Sequence, residues 1–359
     1  MSTPRTPERA KGGPLPGLLG RLAAGVYGLA IGRRNRAFDA GRGVATLPLP
    51  VVSVGNLSVG GTGKTPMVAH LCRVLLERRV RPCIAMRGYV RGKRGGAGSG
   101  SDEADLYRRE FAESVDVVAQ PDRAEGVREL LAAGGMPRAV ILDDGFQHRQ
   151  IRRDLDIVLI DASRDPFGDR LLPAGWLRET TASLGRASCV VVTHWELAQR
   201  EELMELRRKV ERATGGPPIA MTRHLWTALS EGGEAGERLL PLDWLLGKRV
   251  VGVCAIGNPR GFTDALAATV GSEAQTEFIV RPDHDPFDAA TVDRILETAR
   301  RVSAQAIVMT DKDWSKLRRV ERSAWPCPVV RPVLSLGFVE GQREFERLVL
   351  AAVQRRPLR

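Results

Sequence analysis

Residues 51–66, VVSVGNLSVGGTGKTP, carry the strongest structural signal in the chain. The first residues form an apolar, β-branched run typical of a buried strand, and the glycine-rich remainder leads into a helical pattern. Glycine permits the backbone conformations that direct successive N–H groups toward phosphate oxygens, and the following helix presents its amino terminus to the same anion. The stretch therefore predicts a phosphate-binding loop between a strand and a helix. Its predicted nucleotide contacts are Ser58, Val59, Gly60, Gly61, Thr62, Gly63, Lys64 and Thr65.

Individual positions of this loop carry separate predictions. Lys64 is expected to reach the β- and γ-phosphates of a nucleotide, and Thr65 to bind Mg²⁺. The strict phosphate-loop pattern has glycine where Ser58 stands, so the match is imperfect. ATPases of the partitioning and cell-division class carry a second lysine at the position of Val59. The valine therefore weakens the alternative that the chain is a nucleotide-dependent switch.

A second motif, ILDDGFQH, spans residues 141–148. An apolar strand ends there in Asp143 and Asp144, and carboxylates at the end of a strand beside a phosphate loop are placed to hold Mg²⁺, directly or through water. The alternative is that one of the two caps the following turn. His148 follows the pair, and a lone histidine of this kind is more often structural.

The rest of the chain alternates apolar, β-rich runs with longer helical patterns, which is typical of parallel α/β units. Residues 91–101, RGKRGGAGSGS, predict a mobile loop. The predicted strands are residues 50–54, 82–86, 115–119, 139–142, 156–160 and 189–193, followed by 249–256, 276–280, 305–309 and 328–335.

This pattern predicts an α/β protein with two domains. A phosphate-loop domain with a mostly parallel sheet covers residues 46–212. A smaller α/β domain covers residues 213–340 and begins with a connecting stretch, 213–247. The final segment, 341–359, is expected to form a helix that returns to the first domain, and residues 1–45 form a separate amino-terminal segment.

The amino-terminal segment has the composition of a membrane-surface helix. Residues 14–32 are apolar apart from Arg21, and Arg33, Arg34 and Arg36 follow at once. The uninterrupted apolar run is shorter than the roughly 20 residues that a spanning helix needs. We therefore predict an amphipathic helix in the membrane interface, with its arginines on anionic headgroups. The alternatives are a first helix that packs on the core and, less well supported, a cleaved signal peptide.

Composition narrows the classes of partner. With 43% hydrophobic and 27% charged residues, the 359-residue chain is in the ordinary globular range. Its net charge of +11 favours an anionic partner. No nucleic-acid-binding module or aromatic platform accompanies this charge, so nucleic acid is not expected as a partner. Five dispersed cysteines and five dispersed histidines argue against a disulfide framework or a zinc site.

Taken together, the motifs closely resemble the tetraacyldisaccharide 4′-kinase family, the lipid A 4′-kinases. The resemblance implies a phosphate-loop fold with two α/β/α domains. It also implies transfer of the γ-phosphoryl group of ATP, with Mg²⁺, to the 4′-hydroxyl of a lipid A disaccharide precursor, by a protein on the cytoplasmic face of the bacterial inner membrane. We expect a monomer. The blocks that carry the resemblance are the phosphate loop, RGY (87–89), DDGFQH (143–148), DIVLIDASRDPFGDRLLPAGWLRE (156–179), AIGNPRGF (255–262), PDH (282–284) and TDKDWSKL (310–317).

The same resemblance implies roles for residues that the patterns alone leave unassigned. Asp102 matches the family's catalytic aspartate, the base for the attacking hydroxyl, and His284 matches the histidine that supports it. Glu179 is a candidate for a metal contact. The candidate substrate contacts are Arg87, Glu103, Arg123 and His148.

The chain departs from the family pattern in a few places. The family's G-D-E-P block appears as Ser101, Asp102, Glu103 and Ala104, which keeps only the acidic pair. Two alternative functions stay open at this point. One is a phosphate-loop kinase or ligase that acts on a soluble small molecule, and the other is a membrane-associated ATP-dependent switch.

Overall fold

The computed structural model describes residues 13–88, 99–233, 236–272, 274–283, 285–317 and 320–354. Contacts divide the chain into two compact units. Among the described residues, Gly13–Arg223 and Leu336–Gln354 belong to the larger unit, and His224–Ser335 to the smaller one. The division at residues 213 and 341 stays a prediction.

The secondary structure alternates strands and helices along the chain. The strands are β1 (Val51–Asn56), β2 (Pro82–Met86), β3 (Asp116–Ala119), β4 (Ala139–Asp143), β5 (Leu155–Asp161), β6 (Cys189–Thr193), β7 (Ala220–Gly233), β8 (Gly236–Leu240), β9 (Val250–Cys254), β10 (Thr276–Val280), β11 (Ala306–Met309) and β12 (Val329–Glu340). The α-helices are α1 (Gly17–Asp39), α2 (Lys64–Glu77), α3 (Ser99–Phe111), α4 (Arg123–Ala132), α5 (Arg200–Thr214), α6 (Pro259–Val270), α7 (Ala289–Arg301), α8 (Asp311–Leu317) and α9 (Gln342–Gln354).

The larger unit is built on a parallel sheet with the order β3-β2-β4-β1-β5-β6. The first residues of β7 extend it beside β6. Strand β1 is fully buried because helices cover both faces of the sheet. On one face, Met67 and Leu71 of α2 join Phe345 and Val349 of α9 in a core cluster. The sheet therefore holds the loop after β1 at its centre.

The smaller unit has its own parallel strands in the order β10-β9-β11-β12. The pair β7 and β8 adds an antiparallel ribbon to this unit, with Leu229 opposite Leu240. Apolar side chains cover both faces of β9, with Ile295 and Leu296 in one cluster and Phe262 and Leu266 in the other. The expected α/β class with a mostly parallel sheet is thus confirmed.

Two local predictions were wrong. The stretch 213–247 was predicted as a connection, but it holds β7 and β8. A partly exposed antiparallel ribbon mixes polar with apolar residues and so lacks the continuous apolar run of a buried strand. The loop predicted over 91–101 also needs correction, because residues 99–101 begin α3. Residues 91–98 lie outside the described chain.

Helix α1 has one packed face and one exposed face. The hydroxyl of Tyr27 donates a hydrogen bond to the carbonyl of Arg178 (3.0 Å), and the backbone N–H of Leu15 donates to the carbonyl of Pro173 (3.0 Å). The helix and the residues just before it therefore contact the 171–179 segment, and Gly20 is its one described buried residue. Its other face exposes Leu18, Leu19, Leu22, Val26 and Leu29. Among the described residues, no helix combines the length and apolarity that crossing a bilayer requires.

We expect Gly55→Ala to lower the free energy of unfolding by about 1–3 kcal/mol, the usual cost of overpacking a core. A Cβ atom at position 55 would lie 2.5 Å from both the Cβ and the backbone nitrogen of Phe146, so the turn after β4 must move. Gly216→Ala is the control, since nothing lies within 4 Å of a Cβ there. Urea unfolding of both variants tests the prediction, and equal stabilities would contradict it.

Candidate active site

The glycine-rich loop lies between β1 and α2, at the carboxyl end of the central strand. Gly60 (φ 121°) and Gly63 (φ 81°) adopt backbone conformations that a side chain would strain. Gly63 is the residue before the first helical residue, Lys64, so the free N–H groups of the first turn face the loop. This geometry is suited to binding an anion.

Strand β4 lies beside β1 with Asp143 in register with Val54, so its carboxyl end emerges at the same edge of the sheet. Asp144 follows in a left-handed conformation (φ 53°). One of its carboxylate oxygens lies 3.4 Å from the Lys64 ammonium, and the other accepts a hydrogen bond from Arg178 (2.7 Å). The Lys64 ammonium is also 3.4 Å from the side-chain oxygen of Asn56. The structure thus joins the two motifs predicted from sequence.

The two adjacent carboxylates have opposite protonation behaviour. Burial raises the pKa of Asp143, and the nearby charge of Lys64 only partly offsets it. Burial also opposes ionisation of Asp144, but the charges of Lys64 and Arg178 outweigh it and hold the pKa of that carboxyl below its usual range. Asp144 is therefore a fixed negative charge, whereas Asp143 is a buried carboxylate that a cation would stabilise.

Asp143 is linked to the phosphate loop through a tyrosine. The hydroxyl of Tyr107, a fully buried residue of α3, donates a hydrogen bond to Asp143 (3.0 Å). The same tyrosine hydrogen-bonds to the side chain of Thr65. Thr65 and Asp143 are thus brought to one place by Tyr107. Hydroxyl and carboxylate oxygens are ligands that Mg²⁺ accepts, so this pair fits the metal.

A metal bound here would need ligands from outside the protein. Within the described parts of the chain, no three or more His, Cys, Asp or Glu side chains form a cluster that could hold a metal ion. Mg²⁺ commonly uses one or two carboxylates together with water and substrate phosphates. The donor set of Thr65 and Asp143 is therefore sufficient.

Glu179 faces a different set of partners. Its buried carboxylate accepts hydrogen bonds from Arg186 (2.8 Å), Asn35 (2.6 Å) and Ser183 (3.2 Å). These partners outweigh the cost of its burial and lower its pKa. The described contacts of Glu179 therefore connect α1 with residues 183–186. None of these described contacts involves Asp143.

Arg123 lies against the turn that carries the two carboxylates, and His148 is near enough to Arg123 for that charge to lower its pKa, after the larger effect of burial. Arg123 is buried, and its guanidinium donates hydrogen bonds to the backbone carbonyls of Asp143 (2.7 Å) and Asp144 (3.3 Å). It thereby holds the backbone on which both carboxylates are mounted. The positive charge of Arg87 is near enough to lower the pKa of Arg123, together with the larger effect of burial.

The remaining predicted residues are only partly described. Asp102 lies in α3, but its side chain is outside the described part of the structure. Glu103 precedes Tyr107 by one helical turn, and its charge raises the pKa of that tyrosine, after the larger effect of burial. His284 lies outside the described residues.

Sequence reasoning missed three residues of this cluster: Asn56, Tyr107 and Arg178. Asn56 ends β1, and it orders the loop by donating a hydrogen bond to the carbonyl of Ser58 (2.8 Å). Arg178 stood within a quoted motif block but was given no role. Only Tyr107 had a local signal, since it lies one helical turn after the acidic pair, on the same side of the helix.

Comparison with known proteins agrees with this geometry. The model of the tetraacyldisaccharide-1-P 4′-kinase family matches residues 18–354. The chain belongs to the tetraacyldisaccharide-1-P 4′-kinase family. A tetraacyldisaccharide 4′-kinase of Anaeromyxobacter dehalogenans is 38% identical over 328 residues, which cover 86% of this chain and 84% of the relative. Another, from Chlorobium luteolum, is 32% identical and covers 94% of this chain and 98% of its own length.

The kinase family is also represented among solved structures. The crystal structure of LpxK from Aquifex aeolicus in complex with ATP aligns with a TM-score of 0.67 and 29% sequence identity. The alignment covers 93% of this chain and 98% of that one. The resemblance stated from the motifs is thereby confirmed at the level of family and fold.

We expect His148 to titrate with a pKa of about 4. Burial disfavours the imidazolium, and the positive charges of Arg123 and Arg153 act in the same direction. An unfolded chain binds this proton near pH 6.5, so lowering the pH from about 6.5 toward 4 should favour unfolding. Nuclear magnetic resonance titration of the histidine ring protons measures the pKa, and His148→Gln assigns the signal. A midpoint at or above 6.5 would contradict the expectation.

Proposed function

We propose that this chain transfers the γ-phosphoryl group of ATP to the 4′-hydroxyl of tetraacyldisaccharide 1-phosphate, giving lipid IVA in lipid A biosynthesis. The observation that carries the proposal is the family match over residues 18–354, which includes the phosphate loop and the segments that pack around it. Phosphoryl transfer requires a protein mainly to position the reactants and to neutralise charge, and the cluster around Lys64 is suited to both tasks.

In this proposal, the loop N–H groups and Lys64 bind the β- and γ-phosphates. Asp144 and Asn56 hold the Lys64 ammonium at the loop before the nucleotide binds. Arg178 keeps Asp144 ionised and aligned, which preserves that attraction. The lysine is thus held at the phosphate loop, and part of the entropic cost of ordering it is met by folding.

Thr65 and Asp143 are the proposed ligands of Mg²⁺. A bound Mg²⁺ ion neutralises charge that develops on the phosphates. Tyr107 holds the Asp143 carboxylate toward Thr65, and Arg123 fixes the backbone of Asp143. A divalent cation also offsets the cost of burying Asp143, which explains why a carboxylate with a raised pKa is placed here.

Asp102 is the proposed base for the attacking 4′-hydroxyl, and His284 its supporting residue. We propose Arg87, Glu103 and His148 as contacts of the acceptor. A base of this kind contributes about 10²–10⁴ in rate. The position of Asp102 on α3, a few residues before Tyr107, supports its assignment as the base, because the same helix reaches the proposed metal ligands.

Helix α1 is proposed to lie on the cytoplasmic surface of the inner membrane. Leu18, Leu22, Val26 and Leu29 are spaced so that they form one stripe, and their exposed fractions range from 62% to 74%. Such a stripe is costly in water and matches the boundary between headgroups and acyl chains. The exposed arginines of the same helix, Arg21, Arg33, Arg34 and Arg36, match anionic lipid headgroups.

We expect the chain to label tetraacyldisaccharide 1-phosphate in detergent when γ-labelled ATP is supplied. Lys64→Ala should abolish labelling, and Asp102→Asn should reduce kcat by about 10²–10⁴. Asp105→Asn is a matched control, because Asp105 lies on the same helix and its half-exposed carboxylate forms an ion pair with Arg108 at the surface. A wild-type chain that hydrolyses ATP without labelling the lipid would overturn the proposed function.

We expect the double variant Leu22→Glu and Val26→Glu to bind vesicles containing anionic phospholipid more than about tenfold less tightly than wild type, because two exposed apolar side chains that would enter the bilayer are replaced by charged ones. Met204→Glu is the control, since Met204 is an exposed apolar residue on α5. Vesicle sedimentation at low and at high salt separates the apolar contribution to binding from the electrostatic contribution of the arginines. Unchanged binding by the double variant would rule out α1 as the membrane contact.

A further inference from the structure

A second group of polar side chains meets the phosphate loop from the side opposite to Asp143. It lies at the carboxyl ends of β5 and β6, the strands that follow β1 in the sheet on that side. The hydroxyl of Thr193, the last residue of β6, donates a hydrogen bond to the backbone carbonyl of Thr62 (3.0 Å). Both residues are buried. This contact attaches the middle of the glycine-rich loop to the sheet.

The ends of β5 and β6 are themselves held together by a contact between a histidine and an aspartate. The Nδ1 atom of His194 lies 3.2 Å from the Oδ1 atom of Asp161, the last residue of β5. The same oxygen accepts hydrogen bonds from the backbone N–H (2.9 Å) and the hydroxyl (2.7 Å) of Ser163. The backbone N–H of Ala162 donates to the Thr193 carbonyl (2.9 Å). Thr193 is therefore fixed on both sides.

The charges of this pair are mutually supporting. Burial disfavours ionisation of Asp161, but the hydrogen bond and charge of His194 outweigh it and lower the pKa of the carboxyl. Burial also disfavours the imidazolium of His194, and Asp161 outweighs this effect and raises its pKa. A rigid support is thus built at the end of β6.

The planarity of the peptide bond gives the Thr193 contact a consequence for phosphate binding. The carbonyl of Thr62 and the N–H of Gly63 belong to one planar group and point in opposite directions. A hydrogen bond that fixes the carbonyl toward β6 therefore fixes the N–H of Gly63 away from β6. Gly60, Gly61 and Gly63 otherwise give the loop great conformational freedom, which would be lost on binding.

We propose that Thr193 is a positioning residue for ATP: its hydroxyl fixes the Thr62–Gly63 peptide of the phosphate loop in the orientation that binds phosphate. Asp161, Ser163 and His194 hold Thr193 in place. The inference rests on the proposed function only in taking ATP as the ligand of the loop. It requires no contact between Thr193 and the nucleotide.

The test compares Thr193→Val with Thr193→Ser. Valine has nearly the shape of threonine but no donor, whereas serine keeps the hydroxyl. Loss of one neutral hydrogen bond predicts a rise of roughly fivefold in the Kd and KM for ATP in Thr193→Val, with kcat and the KM for the lipid within about twofold of wild type. Thr193→Ser should restore the wild-type Kd. Calorimetry with MgATP and no lipid gives the Kd.

Thr222→Val is the matched control. Thr222 is a buried threonine on the adjacent strand β7, and its hydroxyl donates to the carbonyl of Val192 (3.5 Å). This variant should lose thermal stability as Thr193→Val does, yet bind ATP as wild type does. Equal weakening in both valine variants, no weakening in Thr193→Val, or failure of serine to restore binding would each overturn the inference.

Ser163→Ala provides a test if Thr193→Val does not fold. Ser163 is exposed, so its hydroxyl can be removed without opening the core. We expect a rise of about twofold in the Kd for ATP, because the support of Asp161 is weakened and not removed. A wild-type Kd would overturn the role of the network. Because these measurements omit the lipid, they stand apart from the labelling assay, in which the proposed function itself succeeds or fails.

Discussion

The rest of the larger unit depends on the parallel pairing of β1 with β4 on one side and β5 on the other. Val54 is in register with Asp143 of β4 and with Ile157 of β5. Because parallel strands end at one edge of a sheet, this pairing brings the ends of β4 and β5 beside the phosphate loop that follows β1. Burial of all residues of β1 stabilises the arrangement, since a shift of register would displace the apolar side chains of a fully buried strand.

The second consequence of this strand pairing is that positive and negative side chains lie next to one another in a partly buried environment. Asp144 lies between Lys64 and Arg178, and Arg123 satisfies the carbonyls of the same turn. These side chains are partly buried, so removal of one partner leaves the charge of its neighbour less well compensated. The cluster is thus stable as a unit. Asp143 is the exception, because burial outweighs the neighbouring positive charge and leaves it ready for a cation.

Helix α1 is connected to this cluster through two hydrogen bonds. Its Tyr27 hydrogen-bonds to the carbonyl of Arg178, whose guanidinium holds Asp144. Its Asn35 hydrogen-bonds to Glu179, the next residue in the chain. The exposed stripe of α1 and the Lys64 cluster are therefore fixed to the same segment of the larger unit. An enzyme that acts on a lipid would gain from this geometry, because the surface proposed to bind the membrane and the phosphate loop are both held by that segment.

The amino-acid sequence alone was enough to predict the strand-loop-helix unit that begins with the strand at 50–54, the parallel α/β class, the paired aspartates at the end of the strand at 139–142, and the family. These features depend on local periodicity, on glycine conformation and on motif spacing, which a single sequence displays. Three contacts became visible only in the folded chain: Asp144 pairs with Arg178, Tyr107 contacts both Thr65 and Asp143, and the hydroxyl of Thr193 donates to the carbonyl of Thr62. It also placed Glu179 with Asn35 and Arg186, where the resemblance had suggested a metal contact. Those pairings join residues distant along the chain, and their energies depend on burial and on neighbouring charge, which exist only once the strands are ordered side by side.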